Sequence, residues 1–386
     1  MQIKLKKVTD SFDKQEFLNF PALLNKDNPQ YIRPLNQDIE KVFDPEKNKF
    51  FKSGVCERFL VIDRKHYNVI GRFAVFINKR YKQERPTGGI GFVDFIDDYN
   101  VSEFIFEVAK NWLSSKGMEA MDGPINFGER EQWWGLLVEG FHEPLYGMNY
   151  NLPYYKDHFE QYGFQVYFNQ LCFGRKISTQ VSDRIKNSHE RHCNNPAISI
   201  KEIKTNNLKK YASDFLEVYN KAWAAHGEGK QMNESQAQRL FKSMKQVIDP
   251  KIAFIAYEDQ KPIGIWINLP DLNQWFKHFN SNLNFWNKIK FLIAKKNNKN
   301  TRIVGLVFGV IPEWQKKGLD GYMILEGALR MLKKTKYLDY ELQWIGDFNP
   351  KMIRIAKELE TEVTRKLITY RYNFDRSIPF ERHKEL

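Results

Sequence analysis

Cysteine is scarce: Cys56, Cys172 and Cys193 are the only three in 386 residues. They lie far apart, are odd in number and form no Cys-x-x-Cys pair, which excludes a zinc ribbon and a disulfide framework. The one dense group of metal-type side chains is His189, His192 and Cys193. It sits in a charged stretch without a fourth ligand nearby and reads as a solvated helix end rather than a metal site. No apolar run is long enough to cross a bilayer, so no transmembrane segment is expected. The start, Met1-Gln2-Ile3-Lys4-Leu5-Lys6, lacks the apolar run of a signal peptide, and a cytoplasmic protein is expected. A Gly-x-x-x-x-Gly-Lys loop is also missing, which argues against a nucleotide-hydrolysing enzyme of that class.

What is present is ample apolar material. Hydrophobic residues make up 42% and aromatic residues 15%, enough for packed cores and incompatible with general disorder. The length suits two domains. The formal net charge of +13 suits an anionic partner: nucleic acid, a membrane surface or a phosphorylated cofactor. The lysines are spread along the chain rather than gathered on one segment, so no nucleic-acid partner is expected.

One coarse order of elements occurs twice: strands, a strand–helix unit, then a strand and another helix. In the first half, residues 58–63 and 69–77 read as a hairpin and residues 91–96 as a third strand. A helix carrying Ile105, Val108, Ala109 and Trp112 on one face follows, then a strand over 118–125, a helix over 154–162 and a strand over 164–173. The charged stretch 178–199 is the expected boundary, dividing the chain into 1–195 and 196–386. In the second half, helices are expected over 208–224 and 233–247, a hairpin over 252–269, and a strand over 301–311. A helix over 321–334 should turn Leu325, Ala328, Leu329 and Leu332 inward. A strand, a helix over 350–359 and a last strand over 366–374 close the pattern. The basic amphipathic segment 284–296 is expected to pack on its own domain with its lysines outward, a membrane-surface helix being the alternative.

The chemistry concentrates at one strand–loop–helix unit, Val304 to Gly321. The first amides of a helix lack internal partners and, with the helix dipole, make an anion site. Lys316 and Lys317 add positive charge there, and Gly318 and Gly321 let the backbone approach a phosphate. The unit resembles the acetyl-coenzyme A signature of the GCN5-related N-acetyltransferase (GNAT) superfamily, a strand ending in Val-x-Pro, an aromatic residue, then Gln/Arg-x-x-Gly-x-Gly/Ala and a helix. Val310, Pro312, Trp314, Gln315 and Gly318 match; Asp320 replaces the family's Gly or Ala and sets an acid beside the expected pyrophosphate.

The resemblance implies an α/β (α+β) fold of two tandem GNAT-like domains, each a mixed, mostly antiparallel sheet flanked by helices. It also implies an acetyl-coenzyme A or other acyl-coenzyme A co-substrate held by Phe308, Gly309, Val310, Gln315, Lys316, Lys317, Gly318, Leu319, Asp320, Gly321 and Asn349. The activity implied is N-acyl transfer, acetyl transfer foremost, by direct attack of a small-molecule or peptide amine. Asp347, Glu228 and His226 are the acid–base candidates, each with a plain surface or capping role as the alternative. No tyrosine occurs in 353–359, where the family has its general acid.

The first half has Asp97 and Asp98 at the equivalent junction and no Gln-x-x-Gly, so it is expected to be a degenerate copy without a cofactor loop. Its stretch 123–141, dense in glycine and aromatics, reads equally as a substrate pocket or a core loop; Asn126, Glu129, Arg130 and Trp134 are its candidate contacts. Two other functions stay open: a transferase of the same tandem shape using aminoacyl-tRNA, and a non-catalytic coenzyme A-binding protein. The acceptor and oligomeric state are not legible.

Overall fold

The computed structural model describes residues 2–81, 83–224, 231–297 and 300–385. The first half contains β1 (Ile3–Lys7), α1 (Ser11–Leu24), α2 (Asn36–Val42), β2 (Gly54–Asp63), β3 (Val69–Asn78), β4 (Thr87–Phe95), α3 (Tyr99–Ser114), β5 (Ala120–Gly123), β6 (Leu136–Glu139), α4 (Tyr155–Tyr162), β7 (Gln165–Lys176) and α5 (Asp183–Cys193). The second contains β8 (Ile198–Glu202), α6 (Leu208–Ala224), α7 (Glu234–Met244), β9 (Phe254–Glu258), β10 (Lys261–Pro270), α8 (Asn273–Phe276), α9 (Phe285–Lys296), β11 (Arg302–Val310), α10 (Leu319–Lys334), β12 (Asp339–Leu342), β13 (Ile345–Gly346), α11 (Pro350–Glu358) and β14 (Glu362–Asn373).

Among the described residues, the strands form one large, mostly antiparallel sheet flanked by helices, in the order β1-β2-β3-β4-β5-β14-β7-β12-β11-β10-β9-β8. This order is a reciprocal exchange. The last strand of the chain, β14, pairs with β5 of the first half, Tyr370 opposite Gly123, and with β7, Ile368 opposite Asn169. In turn β7 pairs with β12, Arg175 opposite Tyr340. Each half's sheet is therefore completed by the terminal strand of the other. Both halves keep one parallel pair, β4 with β5 and β11 with β12, each joined by a helix on the sheet face, α3 or α10.

Local sequence explains most element ends. Asn233 and Gln236 form a capping box that opens α7, Asp98 caps α3, and Gly163 closes α4 in the left-handed region with φ 105°. Two expectations fail. In α10, Leu325 and Ala328 are buried, but Leu329 and Leu332 are 42% and 40% exposed. The stripe through Ile324, Ala328 and Met331 turns inward instead. Gly327 sets that rotation, because a Cβ there would lie 2.5 Å from the Trp266 ring. Within the stretch 178–199, the helix α5 packs along α10 with Ile185 and His192 buried. Finally, α9 packs on its own domain through Phe291 with Lys288, Lys290 and Lys296 outward as expected, but it leaves Phe285, Trp286, Leu292 and Ile293 in solvent as well.

Candidate active site

The site begins where β11 leaves its neighbour. Parallel pairing with β12 covers Arg302–Gly305 against Asp339–Leu342, and the chain beyond β12 shifts to β7 through Ile345 and Gly346. The other edge of β11 stays paired with β10 as far as Val310, opposite Gly264. A gap therefore opens along one edge from Leu306, and Leu306 is exposed there while Val307 and Phe308 are half-buried. Peptide groups on an unpaired edge are ready to bond an extended ligand.

The strand runs into a single turn, Pro312–Trp314, and a loop in which Lys316 and Gly318 take left-handed φ values of 64° and 84°. The first helical bond of α10 runs from the Tyr322 amide to the Gly318 carbonyl, so the amides of Leu319, Asp320 and Gly321 precede it. These amides and the positive end of the helix dipole suit an anion.

The loop is backed by α5. Helices α5 and α10 approach so closely that a Cβ on Gly321 would lie 2.8 Å from Ser188 Cβ, and one on Gly318 would lie 2.8 Å from Ser188 Oγ. The glycines of the signature thus make room for a helix as well as for a ligand. His192 is 6% exposed, its ring lies against Trp314 and Tyr322, and Nε2 bonds the Lys317 carbonyl at 2.9 Å. The segment is the end of α5, as expected, with Cys193 exposed, but His192 is not solvated because Trp314 and Tyr322 cover it. His189 pairs with Glu326 at 3.0 Å, and Glu326, whose burial works to raise its carboxyl, is nonetheless held below the usual range by His189 and Arg330. Arg184 answers the acid in the signature: it donates to Asp320 Oδ2 at 2.8 Å and to the Glu358 carbonyl at 2.6 Å.

Between α5, α10, α11 and the open edge of β11 lies a cavity of about 690 Å³. Arg184, Asn187, Arg191 and Lys316 give it a basic wall, and Phe308, Val310, Met352, Ile355 and Leu359 an apolar one. Of the expected cofactor residues, Phe308, Gly309, Val310, Gln315, Lys316, Gly318 and Asp320 line it. The others do different work. Leu319 is fully buried, Gly321 packs on Ser188, and Lys317 Nζ sits 5.1 Å over the Trp314 ring. Asn349 caps α11, accepting from the Met352 amide at 3.1 Å. Sequence reasoning missed Arg184, Asn187, Ser188 and Arg191, although their spacing already places them on one helical face.

Among the acid–base candidates, His226 and Glu228 lie outside the described residues. Asp347 is engaged: Oδ1 accepts from the Asn169 backbone amide at 3.1 Å, and Oδ2 accepts from Asn169 Nδ2 and from Arg382, both at 2.6 Å. The first-half candidates do not line this cavity. Glu129 pairs with Lys49, and Arg130 lies over the rings of Tyr81 and Trp134. Trp134 and Asn126 are buried, and their Nε1 and Oδ1 atoms have no hydrogen-bond partner among the described residues.

The first half closes the corresponding gap with its own chain. The Ile125 amide bonds the Ile90 carbonyl at 2.9 Å, and a Cβ on Gly91 would fall 1.8 Å from the Ile125 oxygen. Asp98 accepts from the Asn100 amide at the start of α3, and Asp97 pairs with His158 at 3.0 Å.

Two sheets, each with one parallel strand pair and joined through exchanged strands, match a solved structure over nearly the whole chain. That structure, a tandem GNAT protein from the clavulanic acid biosynthesis pathway, matches with a TM-score of 0.53 at 10% identity, covering 98% of this chain and all (100%) of that one. The chain has the tandem GNAT fold. A GCN5-related glucosamine N-acetyltransferase region of a fungal β-N-acetylglucosaminidase shares the GNAT fold at a TM-score of 0.53 and 9% identity, over 96% of this chain and 38% of that one. Two curated relatives run nearly end to end with this GNAT-fold chain. A bacterial ceramide synthase of Caulobacter vibrioides is 24% identical over 354 residues, 89% of this chain and 91% of that protein. Protein YghO of Escherichia coli is 22% identical over 368 residues, 93% of this chain and 92% of that protein. No protein-family model matches.

Proposed function

We propose that the protein is an acyl-coenzyme A-dependent N-acyltransferase whose acceptor is the primary amine of a long-chain amino alcohol. The observation that carries the transferase reading is the cavity at the splayed end of β11, basic on one wall and apolar on the other. Its basic wall and the leading amides of α10 suit a pyrophosphate, and the free edge at Phe308–Val310 suits the amide groups of a pantetheine arm. Arg184 offsets the charge of Asp320, so the acid in the signature is compatible with an anionic ligand. The long-chain acceptor is supported by the near end-to-end alignment with a protein named ceramide synthase, since a ceramide is an N-acylated long-chain amino alcohol.

The chemistry is direct transfer. The amine nitrogen attacks the thioester carbonyl, an N–C bond forms, the C–S bond breaks and coenzyme A leaves as a thiolate. A base must take the proton from nitrogen, and a donor can protonate sulfur. Ala222, in the last turn of α6, lines the cavity, and His226 and Glu228 follow that helix closely in sequence. We assign the base to one of these two. Three donors already engage the Asp347 carboxylate, which suits a positioning role between β13 and β7. In the first half, the unpartnered polar atoms of Asn126 and Trp134 keep that segment a candidate for contacting a polar headgroup.

The test is incubation of the 386-residue chain with acyl-coenzyme A esters from acetyl to palmitoyl and a panel of amines: a long-chain amino alcohol, amino acids, a peptide and a polyamine. Thiol release and product mass are read. The expected product is the long-chain N-acyl amino alcohol. No thiol release with any amine removes the transferase reading; release with small amines alone removes the lipid acceptor.

A further inference from the structure

Helix α9 lies in the connection between β10 and β11, and unlike an ordinary surface helix it exposes most of its apolar residues together with its lysines. Asn284 caps it, accepting from the Asn287 amide at 2.9 Å, and Phe291 anchors it in a small cluster with Trp275, Phe276 and Phe279. Lys295 anchors the same side, donating to the Gln246 carbonyl at 2.7 Å; burial lowers the pKa of its ammonium. The opposite side faces solvent with Phe285 69%, Trp286 69%, Leu292 61% and Ile293 55% exposed. At 100° per residue these four, with half-buried Ile289, fall on one face, flanked by exposed Lys288 and Lys290. The helix holds four lysines and no acid.

We infer that this face docks on an anionic phospholipid bilayer surface. An aromatic–aliphatic face bordered by lysines places rings at the acyl boundary and ammonium groups at lipid phosphates. With 12 residues the helix is too short to span, so it would lie in the interface. A second copy of the chain is a poor occupant, because two such faces would bring lysine against lysine with no acid to answer them. The protein's net charge of +13 acts in the same direction. Docking is independent of the transferase reading, and gives an enzyme of that kind direct access to an amine held in a membrane.

The test is co-sedimentation of the whole chain with phosphatidylcholine vesicles containing or lacking phosphatidylglycerol. Binding is expected to the anionic vesicles and to weaken with added salt. The double variant Phe285→Ser/Trp286→Ser should lose about tenfold or more in partitioning, given the apolar area removed. The variant Lys288→Glu/Lys290→Glu should lose binding to anionic vesicles selectively. Circular dichroism and thermal unfolding of the same variants should match those of the parent chain and show that they fold. Failure of the parent chain to bind anionic vesicles overturns the proposal. So does undiminished binding of both variants. A concentration-dependent dimer dissolved by the aromatic substitutions would assign the face to self-association instead.

Discussion

Arg184 decides how the one departure from the GNAT signature is tolerated. Its guanidinium spans from Asp320 on α10 to the last turn of α11, and so pairs the charge of Asp320 at the cavity wall. Replacing Arg184 with Gln should weaken coenzyme A binding about tenfold, the scale of one partly exposed charge-assisted hydrogen bond. Adding Asp320→Ala should restore part of the loss, because the unpaired acid is then gone; calorimetric titration of the two single variants and the double variant reads the coupling. Independent effects in that cycle would show that the pair does not act on the ligand. The acid–base assignment is a second prediction at this scale. His226→Ala or Glu228→Gln should lower kcat about 100-fold while leaving coenzyme A affinity intact. Loss of affinity with unchanged kcat would place the residue in binding instead.

At the scale of elements, the close approach of α5 and α10 makes the wall around the loop from Gln315 to Asp320 a composite of both halves of the chain. Gly321→Val should force the helices apart, costing about 1–3 kcal/mol of stability and lowering coenzyme A affinity, because Arg184 and Arg191 ride on α5. Ser188→Gly, which removes the carbon that a side chain at position 321 would meet at 2.8 Å, should recover part of both. Thermal unfolding and ligand titration measure them together, and a substitution without effect on either would show that the contact is slack. Gly318 carries a related expectation: its φ of 84° penalises any side chain, so a bulky replacement should strain the loop as well as obstruct a phosphate.

For the whole molecule, the exchange of β7 and β14 makes the two halves depend on one another. A chain ending at residue 361 loses the strand between β5 and β7, so the expected result is loss of folding throughout, while the intact chain unfolds in one calorimetric transition. Two separated transitions in the intact chain would contradict this coupling. The junction is also pinned electrostatically. Arg365 on β14, fully buried, donates to Glu341 on β12 at 2.6 Å and to the carbonyls of His142 and Glu143 at 2.8 and 2.7 Å. Glu341→Leu strands that guanidinium and should cost about 3–5 kcal/mol. Burial works to raise the Glu341 carboxyl, but Arg365 and Arg302 outweigh it and hold the group below its ordinary value of 4.5. The stabilisation is therefore complete above about pH 4.5 and is lost as pH falls through the folded value. A urea-midpoint series against pH should show this acid sensitivity, and Glu341→Leu should flatten it.

Much of this is legible in the chain itself, because local patterns encode local structure. The alternation of residues 58–63 and 69–77 makes a hairpin, Asn233 and Gln236 make a capping box, and the loop from Gln315 to Asp320 marks a helix N-terminus suited to an anion. Periodicity also announces α9 as basic and amphipathic. It carries no information about which side meets the core, so only packing through Phe291 shows that the apolar face points outward. The same ambiguity lets Leu329 and Leu332 pass for core residues until Gly327 and Trp266 set the rotation of α10. Strand exchange cannot be read locally at all, since β7 and β14 pair across nearly two hundred residues. Nor can the pairing of Arg184 with Asp320, which are 136 residues apart. Sequence by itself marked the hairpins, most of the helices on the sheet faces and the character of the turn from Gln315 to Asp320; contacts distant in the chain decided which helix backs that turn, which acid is paired, and which face of α9 is left exposed.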